Sequence, residues 1–139
     1  MATERYYDCP RCHKRSPSGL LFDVLLDFPK SLPICSCGEN NELLLIPPFA
    51  FGAGGKCFKV LDAFHEEISW EDKGKSVTFY PFLTILENVE DKSLKIWLPY
   101  WHVEEGKRKF GERAPWMDAE LFEGLLTKAQ TRNYFRRLE

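Results

Sequence analysis

The chain predicts an α+β fold. A cysteine-clamped N-terminal unit over residues 1–48 is joined to a small β-hairpin-rich domain with a C-terminal helix over 56–139. Three observations carry this expectation. Four of the five cysteines fall in two tight pairs, "CPRC" at 9–12 and "CSCG" at 35–38. The stretch 75–103 holds two arms rich in β-branched and aromatic residues around a polar turn. Near the C-terminus, apolar residues recur at helical spacing.

Taken in order, "ERYYD" reads as a short strand running into the first cysteine pair. "GLLFDVLLDF" places Leu20, Phe22, Val24, Leu26 and Phe28 on one face at period two, with Asp23 and Asp27 opposite, which is a strand pattern. "PKSLP" is a turn-rich return to the second pair, and "ELLLIPPF" is a further strand stopped by Pro47 and Pro48. "AFGAGGK" over 50–56 reads as a linker or wide loop. As a phosphate-binding loop it fails: Ala50 stands where the first glycine belongs and Cys57 where the hydroxyl belongs. The following stretch is open between two forms. Val60, Phe64 and Ile68 would share a helix face, while "KCFKVLDAF" would equally make a strand.

In the hairpin, Val77, Phe79, Leu83 and Ile85 fall on one side of the first arm and Tyr80, Phe82 and Leu86 on the other. Both faces therefore want cover. Pro81 and Pro99 cannot donate to a ladder, so each is expected at an edge or bulge. "EEGKRKFGERAP" reads as a long polar loop. After Pro115 comes a helix with Asp118 as N-cap and a stripe of Leu121, Phe122, Leu125, Leu126 and Ala129.

Composition bounds the function. Hydrophobic residues are 44% of the 139 and aromatics 14%, enough for a core and against a disordered chain. The net charge of −2 gives no global pull toward nucleic acid or membrane. The opening residues lack a signal-peptide core, and "LLFDVLLDF" is too short and too acidic to span a bilayer. The expectation is a soluble, cytoplasmic protein, a setting in which paired cysteines bind metal more often than they form disulfides.

Cys9-x2-Cys12 and Cys35-x-Cys37 are separated by 22 residues. Four thiolates close a tetrahedral shell around Zn²⁺, with iron the minority alternative. Pro10 stiffens the first turn, and Gly38 supplies backbone freedom just after the second pair. The two pairs read as jaws of one clamp, and metal is the expected cofactor. "YYDCPRC" and the second pair make residues 5–46 resemble a zinc ribbon. The second pair is one residue shorter than the usual knuckle of that class. The resemblance implies a structural Zn²⁺ on Cys9, Cys12, Cys35 and Cys37 and implies no activity. His13 reads as an exposed neighbour.

The expected function is a non-catalytic interaction or adaptor module. Its partner would be a protein or a second copy, with a nucleic-acid-bound assembly as a further setting. The charge is uneven: residues 1–105 carry 11 basic and 16 acidic side chains, and residues 106–139 carry 8 and 5. Lys107, Arg108, Lys109, Arg113, Arg132, Arg136 and Arg137 would meet phosphates only weakly, given the acidic body. The aromatic stretch Trp97–His102 beside them suits base stacking or packing. The alternative is an enzyme site around His65, His102 and the acidic cluster Glu66, Glu67, Glu71 and Asp72. Cys57 reads as a free buried thiol.

Overall fold

The computed structural model describes residues 4–46, 56–110 and 116–132. Pro47, Pro48, the glycine-rich stretch 50–55, Arg113, Pro115, Arg136 and Arg137 lie outside the described residues.

In chain order the elements are β1 (Glu4–Asp8), β2 (Arg15–Pro17), α1 (Leu21–Leu26), β3 (Glu42–Ile46), β4 (Phe58–His65), β5 (Ile68–Asp72), β6 (Lys75–Asn88), β7 (Leu94–Trp97), β8 (Tyr100–Glu104), β9 (Lys107–Phe110), β10 (Trp116–Asp118) and α2 (Ala119–Thr131). The expected α+β balance is therefore corrected to a β-rich fold, mostly antiparallel sheet, with a C-terminal helix. Two turns account for much of the difference. Lys73–Gly74 and Glu105–Gly106 all have positive φ, and each pair closes a two-residue hairpin, between Asp72 and Lys75 and between Glu104 and Lys107. Both central residues at positive φ favour the tight hairpin that matches strand twist. The segment read as a polar loop thus contains β9. The ambiguous stretch 58–65 is strand β4.

The main sheet runs β10-β7-β6-β4-β3-β1-β2, and β6 also borders β5 and β8, with β9 outside β8. The pairing of Leu44 and Leu45 with Lys59 and Phe58 carries the sheet from the first segment into the second. β6 is the shared spine. Its C-terminal half pairs with β4 and β7, and its N-terminal half with β5 and β8. Pro81 sits inside this strand, opposite Tyr100, rather than at an edge or bulge. Its carbonyl accepts from the Glu66 N–H at 3.1 Å. The proline nitrogen points to the same side, into the gap between β4 and β5, so no ladder acceptor is left waiting for it. Pro99 falls in the break between β7 and β8 and is fully buried. Its carbonyl takes the Phe82 N–H at 2.9 Å.

The inner face of the sheet holds the core: Tyr7, Leu43, Leu45, Phe58, Val60, Phe82, Leu86, Trp97 and Trp101. Its cover is α1, which corrects the strand expected over 20–28. Leu21, Phe22, Val24 and Leu25 are all buried, a helical stripe, while Asp23 and Asp27 face water. An apolar run this short satisfies both periods, and the packing decides. Phe22 meets Tyr80 at 5.0 Å, Trp101 at 5.3 Å and Phe82 at 6.1 Å between ring centroids. Arg108 lies over its ring at 5.0 Å and pairs with Asp23 at 3.1 Å. The other face carries Val77, Phe79, Leu83 and Ile85, the division of β6 side chains expected from period two.

α2 starts after Asp118 as expected, but the Asp118 side chain makes no cap hydrogen bond and pairs with Lys95. None of its residues is buried; Leu121 is 61% exposed and Leu125 58%. No helix among the described residues is long and apolar enough to cross a membrane.

Candidate metal centre

The two cysteine pairs sit on two tight loops of the N-terminal segment. The first loop joins β1 to β2, with Asp8 opposite Arg15. It is closed by Cys9 N–H to the Lys14 carbonyl at 3.1 Å and His13 N–H to the Cys9 carbonyl at 2.9 Å. His13 takes the turn's positive φ of 61° and its side chain is exposed. The second loop is framed by an isolated bridge between Ile34 and Asn40. It is closed by Cys35 N–H to the Glu39 carbonyl and Gly38 N–H to the Cys35 carbonyl, each at 2.8 Å. Gly38 has φ +95°, the left-handed region that favours glycine. The one-residue shortening of the second pair is absorbed in this turn.

The loops face each other. The sulfurs of Cys9, Cys12, Cys35 and Cys37 all lie within 4.8 Å of one another. The closest approaches cross between loops, Cys9 to Cys37 at 3.4 Å and Cys12 to Cys35 at 3.5 Å. A tetrahedral metal with bonds of about 2.3 Å to sulfur separates its ligands by about 3.8 Å. The two closest approaches fall a few tenths of an ångström short of this, and the cluster's outer bound of 4.8 Å exceeds it by about 1 Å. All-sulfur donors with no oxygen or nitrogen in the set select Zn²⁺ or iron over the hard cations. Arg11 ties the loops together at the surface, donating to Glu39 Oε1 at 2.8 Å and to the Cys37 carbonyl at 3.3 Å. An exposed pair of this kind orients more than it stabilises.

The thiols are electrostatically uneven. The Cys12 backbone N–H lowers Cys9, and the Cys37 backbone N–H, helped by the Cys12 thiol, brings Cys35 down to about 6. Cys12 is pulled down by the Lys14 amide, but its sulfur neighbours Cys35 and Cys9 outweigh this and raise it to about 11. Cys37 is likewise lowered by the Glu39 amide and raised overall, chiefly by Cys9. Each low thiol faces a high one across the gap, so the cluster holds thiolate charge before any cation arrives. A metal must displace the remaining protons. Below pH 6 Cys35 is protonated in the metal-free cluster as well. Proton release per metal is therefore expected to rise, and affinity to fall more steeply, as pH drops through about 6. Calorimetry in buffers of different ionisation enthalpy measures the released protons directly. A proton count unchanged between neutral pH and pH 5 contradicts this assignment.

The other candidates are not brought together. His65 pairs with Phe82 in register, while His102 pairs with Phe79, so the two histidines occupy opposite faces of the sheet. Each is packed on an aromatic ring, His65 on Phe82 at 5.4 Å and His102 on Phe79 at 5.0 Å. Glu66, Glu67, Glu71 and Asp72 are all exposed. Among the described residues only the four cysteines form a cluster that could hold a metal. Cys57 is half-buried, with its sulfur 3.7 Å from the Tyr6 hydroxyl. Of the Trp97–His102 stretch, Trp97 and Trp101 belong to the core, and Tyr100 and His102 lie on the other face.

No family model matches the chain, and no curated protein or solved structure matches it significantly. The strands β2-β1-β3 with their facing loops are compatible with a zinc-ribbon-like segment. The helix α1 in the spacer stands where a strand was expected.

Proposed function

We propose that residues 5–46 form a zinc-ribbon-like unit in which Cys9, Cys12, Cys35 and Cys37 hold one structural Zn²⁺, and that the chain is a non-catalytic interaction or adaptor module. The observation that carries this reading is the convergence of four sulfurs, two from each loop, within 4.8 Å. Four protein thiolates fill a tetrahedral shell and leave no position for water or substrate, the arrangement of a structural rather than a catalytic zinc. The separation of His65 from His102 weighs in the same direction. The partner is a protein or a second copy; an association with a nucleic-acid assembly is the weaker reading, because Arg108 of the basic segment is already paired with Asp23.

Elemental analysis of protein purified without added metal tests the assignment. The expected result is close to one equivalent of zinc per chain, unchanged in Cys57→Ser. Protein without metal, or loss of metal in the Cys57 variant, overturns it.

A further inference from the structure

We propose that the outer face of the sheet β5-β6-β8-β9 seats a second copy of this chain in a two-fold pair. Register places Ile68, Phe79 and His102 in one row across this face, and Trp70 and Val77 in the next. The rings of Phe79, Tyr100 and His102 pack on one another at 5.0 to 5.7 Å, with Trp70 at 6.5 Å from Phe79. Alongside them, Phe64 and Ile68 are each 53% exposed and Trp70 43%. Contiguous aromatic surface of this kind marks an interaction site. Two such sheet faces pack about 10 Å apart with interdigitating side chains.

The charges at the two rims select the occupant. On the β5 side, Glu66, Glu67, Glu71 and Asp72 are exposed along the sheet edge, with Asp72 on the aromatic face by register and Glu71 on the other, and no base lies between 66 and 72. On the β9 side stand Lys107 and Lys109, the latter 3.7 Å from Glu104, while Arg108 lies on the inner face with Asp23. A two-fold axis running along the strands, between two facing copies, puts the β5 rim of each over the β9 rim of the other. Both rims are then neutralised at once, which a partner of uniform charge cannot achieve. Glu104 shares the face of Lys107 by register, so Lys107 and Lys109 both stand on the aromatic side. Lys107 shares the row of Trp70 and Lys109 that of Ile68, so the Lys107 stem of one copy comes over Trp70 of the other, where a cation on the indole face is favourable. Edge-to-edge pairing through two β5 strands would instead set acid beside acid. The apolar centre supplies affinity, and the rims set orientation.

This inference rests on the reading of the chain as an interaction module and names its partner surface. Sedimentation equilibrium on the zinc-loaded protein at micromolar concentration is expected to show a dimer. Trp70→Glu should weaken it by about tenfold or more. Lys107→Glu with Lys109→Glu makes both rims acidic, and Glu71→Lys with Asp72→Lys turns the other rim from four acids to two acids and two bases, which removes its attraction for the β9 rim. Each double variant alone should dissociate, and an equimolar mixture should form the heterodimer. All these positions are exposed, and circular dichroism verifies that each variant folds. A wild-type monomer, or a mixture that stays dissociated, overturns the proposal. So does single-stranded RNA that binds this face, with Trp70 needed for binding, while the chain stays monomeric. Zinc content measured on the same samples tests the metal reading separately: a zinc-loaded monomer defeats the dimer and leaves the metal centre standing.

Discussion

Removal of the metal, by chelation or by Cys35→Ser, is expected to release residues 5–46 from their folded state and to drag the sheet's inner face with them. The argument starts from position in the chain. The two loops that hold the cysteines flank α1, which runs from Leu21 to Leu26 between Cys12 and Cys35. Metal bonds across the loops would therefore fix both ends of the segment that carries the core's cover. Structural zinc contributes on the order of 10 kcal/mol linked to folding. A domain of this size is stable by only about 5–15 kcal/mol in total. Without the metal, nothing covalent holds α1 over the sheet, because the five cysteines form no disulfide. Thermal unfolding with and without chelator is the measurement, together with hydrogen exchange of α1. An unchanged midpoint and an unchanged α1 would show that the cluster contributes nothing to the fold.

The second large effect is expected at Phe22. Its ring is 6% exposed and is surrounded by Tyr80, Phe82, Trp101 and the guanidinium of Arg108. Phe22→Ala removes that ring from a packed aromatic cluster and should cost about 3–5 kcal/mol. At roughly 2–8 °C for each kcal/mol, the midpoint should fall by about 6 °C or more. Zinc content should remain at one equivalent, because Phe22 is not among the ligands. That separates the two predictions: Cys35→Ser loses metal and stability together, Phe22→Ala loses stability alone. A loss under about 1 kcal/mol would mean that α1 is not the true cover of the core.

The cysteine cluster was legible because its signal is chemical and local. Two close cysteine pairs point to one shared site without reference to the rest of the fold, and Gly38 marks its turn by type. The alternation along β6 was legible for a similar reason, since period two survives a proline: Tyr80, Phe82 and Leu86 share one face across Pro81. The stretch 21–26 was misread because "LLFDVLL" fits both periods over so few residues. Only its contact with Phe82 and Trp101, distant in sequence, settles it as helix. β9 was missed because its turn is Glu105–Gly106, in which glycine is the sole hint of positive φ. The separation of His65 from His102 depends on registers with the two halves of β6, which no local pattern encodes.

The placement of α1 between the two loops also bears on the order in which the molecule is made. Cys9 to Cys37 emerge from a ribosome long before β6 at Lys75–Asn88. The clamp can thus close on a nascent chain, at the modest entropic cost of a loop of about 22 residues. What it then holds is a helix whose apolar stripe has no sheet to land on, since Phe82 and Trp101 are still unmade. Metal delivered early gives the later strands a preformed surface to collapse against. Metal delivered late leaves four thiols open to oxidation and an apolar segment open to aggregation throughout synthesis. With Zn²⁺ as the proposed ligand of this clamp, the timing of its supply would be part of the folding problem.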